Sequence, residues 1–87
     1  MREIYGMDNP REWVIGWLMD QYNTTRECVE NANCLSEQFN FDALDKLLFL
    51  MNAENDFDIS IQDGAFDDCD TLDSLVAKLT EIINREP

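Results

Sequence analysis

The C-terminal part of the chain has the pattern that most restricts its fold. Between residues 72 and 83 the apolar side chains recur at steps of three and four: Leu72, Leu75, Val76, Leu79, Ile82 and Ile83. This spacing places them on one face of a helix, and such a face needs a second apolar surface to cover it. The pattern predicts an amphipathic helix that is capped by Asp70 or Thr71, fades at Asn84 and packs within a helical bundle.

The N-terminal helix signal begins at Asn9, a predicted N-cap that is followed by Pro10 at the first helical position. Apolar residues at helical spacing then continue to about Tyr22. From Thr24 to Asn40 the periodicity is lost, and we predict a long loop that is pinned at intervals. Loops of this length are uncommon in compact domains and often have a function.

A further helix is predicted from the N-cap candidate Asp42 to roughly Asp56. Residues 57–61 alternate apolar and polar side chains, but five isolated residues do not make a sheet, so we predict an extended connector there. Residues 64–68 suit one short helical turn. The sequence therefore predicts an all-α fold, a small four-helix bundle of three main helices and one short helix, in a single domain over residues 1–87.

Charge and composition limit the function. The chain has nineteen acidic and six basic residues, which give a formal net charge of -13. This charge disfavours nucleic acids and membranes as partners and favours basic patches on proteins. With no histidine, the commonest general base, we predict no enzyme, no catalytic residues and no metal site. Three cysteines without a zinc-binding spacing and no sign of a secretory signal predict free thiols in the cytoplasm. We also expect a monomer.

The acidic residues concentrate around the second main helix, where thirteen acids lie between Glu27 and Asp73 against one base, Lys46. In this region Phe41-Asp42-Ala43-Leu44-Asp45 resembles the Asp-Ser-Leu-Asp attachment motif of the acyl carrier protein family. Downstream, Phe57-Asp58-Ile59-Ser60-Ile61 is similar to the Phe-Asp-Ile-x-Ile segment that follows the same helix in that family. The resemblance extends over nearly the whole chain and includes the last helix.

The resemblance implies a four-helix bundle of the carrier type. In this family the motif serine holds 4'-phosphopantetheine, whose thiol presents acyl groups as thioesters during fatty acid or polyketide biosynthesis. It also implies the partners, a phosphopantetheinyl transferase and acyl-transferring or condensing enzymes with basic patches. The attachment position is Ala43, and the motif residues around it are Asp42, Leu44 and Asp45. The predicted partner-docking surface consists of Lys46, Leu48, Phe49, Glu54 and Asp58.

Position 43 departs from the family pattern. Alanine has no hydroxyl group, so no phosphodiester can form there and the cofactor is absent from this chain. Two explanations stay open: a serine changed to alanine to keep a carrier unmodified, or a natural relative without the arm that docks or regulates a basic protein. Asn40 stands where the family has a glycine, and asparagine also tolerates left-handed backbone angles.

Three other features have both a functional and a structural interpretation. Asp73-Ser74-Leu75 repeats part of the attachment motif, but it lies inside the last predicted helix, so we predict that Ser74 faces solvent. Trp13 and Trp17 are at helical spacing, which is more typical of a core than of a ligand pocket. The acids between residues 56 and 70 do not match the glycine and glutamate positions of a calcium-binding EF-hand loop.

Overall fold

The computed structural model describes residues 9–85, in which five helices and no strand occur. Helix α1 spans Pro10–Tyr22, α2 Arg26–Asn31, α3 Leu35–Phe39, α4 Ala43–Phe57 and α5 Leu72–Arg85. The predicted all-α fold, a small helical bundle, is confirmed. Residues 1–8 and 86–87 of the predicted domain lie outside the described residues.

The three main helices, α1, α4 and α5, start where the sequence predicts, because a polar side chain bonds a free backbone amide at each start. The capping residues are Asn9, Asp42 and Thr71, which accept hydrogen bonds from the N–H groups of Glu12, Asp45 and Ser74 at 3.4, 3.1 and 3.1 Å. Each helix also ends within one residue of its predicted end. These three predictions are confirmed.

The prediction of one long loop from Thr24 to Asn40 is wrong, because this segment contains α2 and α3. Helix α2 begins after Thr25, whose hydroxyl accepts a hydrogen bond from the N–H of Cys28 at 3.2 Å. Its six residues bury one side chain, Val29, against the core. Such a helix is too short to show apolar periodicity in a sequence.

Helix α3 is capped by a residue that is distant in sequence. The Asp70 carbonyl accepts a hydrogen bond from the N–H of Leu35 at 2.7 Å, and the Asp70 carboxylate accepts one from the N–H of Ser36 at 3.0 Å. The Cys34 thiol also donates to this carboxylate. Asn40 ends α3 with a φ of 62°, the left-handed conformation that asparagine tolerates. The start of α3 therefore depends on the tertiary fold.

Aromatic side chains of α1 and α4 form the centre of the core. The Phe49 ring is fully buried, and its centroid lies 5.4 Å from that of Trp13, 5.2 Å from Trp17 and 5.0 Å from Phe66. The predicted core role is confirmed for Trp13, which is buried, while Trp17 is half-buried against the core. The prediction that Phe49 belongs to a docking surface is wrong, because its side chain is inside the molecule.

Two segments without helix or strand connect α4 to α5. Ile61, at the end of the predicted connector, is buried, and its N–H donates to the Glu54 carboxylate at 2.7 Å. Residues 63–68 form successive turns in place of the predicted helical turn, with Gly64 at a φ of 83°. These segments hold the side chain of Phe66 in the core next to α4.

Candidate functional site

An exposed apolar surface follows the start of α4. Four side chains are 65, 44, 37 and 53% exposed, and they are Leu44, Leu47, Leu48 and Met51. Within residues 9–85 no other large hydrophobic side chain is exposed. Their spacing places them on one face of the helix, and we name them the α4 stripe. A contiguous apolar surface of this kind is typical of an interaction site.

Helix α4 is apolar on two faces. The side chains that it buries are Phe49, Leu50, Ala53 and Phe57, on the face opposite the α4 stripe. The sequence predicted Leu48 for the docking surface, and the structure does expose it. Leu47 and Met51 are missing from the predicted surface, although the spacing of the apolar residues in the sequence contains the signal for them.

Ala43 is the first residue of α4 and is exposed. It lines a groove of about 230 Å³ between α4 and the turns at residues 63–67, together with Leu47, Leu50 and Phe66. Residue 43 thus has the α4 stripe on one side and a partly apolar groove on the other. The predicted attachment position is accessible from outside the molecule.

The two motif acids have contacts within the fold. Asp42 caps α4, and Asp45 accepts a hydrogen bond from the Tyr22 hydroxyl at 2.8 Å. Burial and the Asp45 carboxylate raise the pKa of Tyr22 above its usual value. The Tyr22 ring stacks on Phe39 at 5.1 Å between centroids. Asp45 therefore connects the ends of α1 and α3 to the start of α4.

The other predicted docking residues also make structural contacts or lie away from the α4 stripe. Lys46 donates to the carbonyl oxygen of Asp67 at 2.8 Å, and its Nζ lies 6.0 Å from the Phe41 ring centroid. The Glu54 carboxylate accepts the hydrogen bond from the N–H of Ile61 in the connector. Asp58 is exposed but ends α4 at a φ of 56°, about 20 Å along the helix from the start of the stripe. Glu54 and Asp58 follow Met51 by three and seven residues, so they lie beyond the C-terminal end of the stripe on the same side of α4.

Ser74 is half-buried and is part of the α5 cap, because its hydroxyl donates to the Thr71 carbonyl at 2.8 Å. The prediction that it faces solvent is wrong. Of the three free cysteines, Cys28 is exposed, and hydrogen bonds from threonine hydroxyls lower the pKa of its thiol. Cys69 is buried, and burial raises the pKa of its thiol.

Within residues 9–85, no group of three or more acidic, cysteine or histidine side chains is arranged to hold a metal ion. No helix in the same range has the length and apolar character that a bilayer span requires. Comparison of the chain with protein-family models, with curated proteins and with solved structures gave no match. The α4 stripe, the groove beside Ala43 and the acidic charge are the features from which a function can be proposed.

Proposed function

We propose that this chain is an acyl carrier protein that presents thioester-bound acyl intermediates to enzymes of fatty acid or polyketide biosynthesis. Its sequence is in a form that cannot receive 4'-phosphopantetheine, because position 43 is alanine. The observation behind the proposal is the α4 stripe, which begins directly after the attachment position and is left exposed by residues 9–85. The proposal places the protein in the cytoplasm and gives it no catalytic activity of its own.

The local chemistry at residue 43 supports an attached phosphate. The free N–H groups and the positive dipole end at the start of a helix favour a phosphate group there, although Asp42 and Asp45 oppose it by charge. The hydroxyl of Tyr22 bonds one of these carboxylates. The groove beside residue 43 has apolar lining from Leu50 and Phe66 against which part of an acyl chain can lie.

The surface charge supports transient docking to basic enzymes. Charges at the rim of an interface increase the rate of encounter more than they increase affinity, which suits a carrier that visits several enzymes in turn. The α4 stripe supplies apolar contact at the centre of the same surface, and Asp42 is exposed beside it. The expected partners are a phosphopantetheinyl transferase and acyl-transferring or condensing enzymes.

The direct test is Ala43→Ser, incubated with coenzyme A and a broad-specificity phosphopantetheinyl transferase and analysed by intact mass. We expect this variant to gain the mass of one phosphopantetheine and the unaltered protein to gain none. Ala77→Ser, at an exposed position of α5, is the matched control and should also stay unmodified. A folded Ala43→Ser variant that is not modified would refute the carrier proposal. Modification of the unaltered protein would place the site at Ser36 or Ser74.

Ala43 itself favours a second candidate, an interaction domain without an arm that docks or regulates a basic protein through the α4 stripe. In that case Ala43→Ser should stay unmodified and should bind a condensing enzyme or transferase as tightly as the unaltered protein does. Leu47→Ser, in the stripe, should weaken that binding in either case. Both effects are measured by the fluorescence anisotropy of this protein and its variants, each labelled with a fluorophore and titrated with the enzyme.

A further inference from the structure

A second groove, of about 310 Å³, lies between α1 and α4. It is lined by Glu12, Trp13, Gly16, Trp17, Asp20, Asn52 and Asp56, and we name it the tryptophan groove. Its α4 residues, Asn52 and Asp56, follow Leu48 by four and eight residues and continue along one side of the α4 stripe. The two surfaces therefore adjoin at Leu48 and Asn52.

Gly16 leaves the tryptophan groove open. It lies in the interior of α1 and is exposed, and a Cβ placed on it would have no atom within 4 Å outside its immediate chain neighbours. A glycine inside a helix is less favourable than alanine. No neighbouring helix packs against this position. The absence of a side chain therefore leaves the α1 backbone between Trp13 and Trp17 open to a group from outside.

The charges around the groove are negative. The Glu12 carboxylate already pairs with Arg26, at 2.7 and 2.5 Å. Asp56 accepts a hydrogen bond from the Trp13 indole N–H at 2.7 Å, so its side chain lies beside that ring. Asp20 is exposed and forms no ion pair within residues 9–85. A guest in the groove therefore meets a tryptophan surface and the Asp20 carboxylate, which forms no ion pair within residues 9–85.

We propose that the tryptophan groove binds an arginine side chain of a protein partner. A planar guanidinium group stacks on indole rings and forms hydrogen bonds to carboxylates at the same time. Asp20, which forms no ion pair within residues 9–85, supplies the carboxylate, and Trp17, which is half-buried, supplies accessible ring surface. This site is independent of residue 43 and of the proposed carrier function.

The test is an NMR titration of the full chain with a blocked arginine, N-acetylarginine amide, at constant ionic strength. We expect saturable shifts of the Gly16 amide and of the indole N–H signals of Trp13 and Trp17. Gly16→Ala places a methyl group in the groove and should weaken binding as measured by the two indole signals, while its melting temperature shows that it is folded. Asp20→Asn should weaken binding about two- to fivefold, as expected for an exposed ion pair.

The matched control is Glu37→Gln, which removes one exposed carboxylate on α3, outside the groove, and should leave the titration unchanged. Equal binding by Gly16→Ala and the unaltered protein would overturn the proposal. So would equal weakening by Asp20→Asn and Glu37→Gln, since that would show a response to net charge alone. A parallel titration with tetramethylammonium tests the guest, because saturable binding of that ion without binding of the arginine probe would overturn the assignment to arginine.

Discussion

Replacing Gly16 by alanine should stabilise the protein. An added Cβ meets open space in the interior of α1, so the substitution introduces no clash. A glycine inside a helix is destabilising by roughly 0.5–1 kcal/mol relative to alanine, because it loses more conformational freedom on folding. We expect the free energy of unfolding to rise by about this amount. For a domain of this size, each kcal/mol raises Tm by about 4–8 °C.

Gly64→Ala is the matched comparison and should have the opposite effect. Gly64 has a φ of 83°, and an added Cβ would lie 3.2 Å from Oδ2 of Asp67. We expect a loss of about 1 kcal/mol or more. Urea denaturation followed by far-UV circular dichroism measures both variants without depending on the tryptophans near Gly16. A Gly16→Ala variant that is no more stable than the unaltered protein would refute the reasoning about open space and helix entropy.

Four further predictions concern the Tyr22 hydroxyl, the cap of α3, the two faces of α4 and the net charge. Burial and the neighbouring carboxylates raise the pKa of Tyr22, so the folded state binds this proton more tightly than the unfolded chain; stability should fall as the pH rises above about 10, and urea midpoints should fall less in Tyr22→Phe. Asp70→Ala removes the carboxylate that caps α3 and should lower the free energy of unfolding by about 1 kcal/mol, so an unchanged midpoint would contradict the capping role of this side chain. Phe49→Ala should cost about 3–5 kcal/mol, whereas Leu44→Ser should stay within about 0.5 kcal/mol, and similar losses would contradict the assigned faces of α4. Sodium chloride should raise Tm by screening the net charge of -13, and a flat response would show that repulsion does not limit stability.

The three main helices can be predicted from the sequence because local chemistry determines where each one begins. Asn9, Asp42 and Thr71 bond amides three residues ahead, so the signal and its effect lie in the same short segment. The apolar spacing of α5 is also local, and its buried residues are those that the spacing predicts. This part of the fold needs no knowledge of tertiary contacts.

Helices α2 and α3 were less accessible to prediction for two different reasons. Thr25 caps α2 locally, so a signal exists, but six residues give less than two turns of apolar spacing to support it. The cap of α3 comes from Asp70, which is 34 residues beyond Ser36 in the chain. No local pattern contains that information, because the contact exists only after α4 and its connector have placed Asp70 beside α3.

The exposed apolar surface of α4 could be predicted only in part, because this helix has two apolar faces. Leu44 and Leu48 lie on the exposed face, and Phe49 and Leu50 lie on the buried one. Adjacent residues differ by about 100° around a helix, so Leu48 and Phe49 point in different directions although they are neighbours in sequence. Packing against Trp13 and Trp17 decides which face of α4 is buried. These two residues belong to α1, so the sequence of α4 alone does not predict the buried face.

The structure also separates the roles of the motif residues around position 43. Asp42 is needed to cap α4 and Asp45 bonds Tyr22, so folding alone gives a reason to retain both acids. The fold gives no such reason to retain Leu44 or the residue at position 43, because both side chains are exposed. A serine at an exposed first helical position should change the free energy of unfolding by less than about 0.5 kcal/mol. The response of Ala43→Ser to the transferase therefore reports on recognition of the α4 stripe and residue 43, since we expect the substitution to leave the fold unchanged.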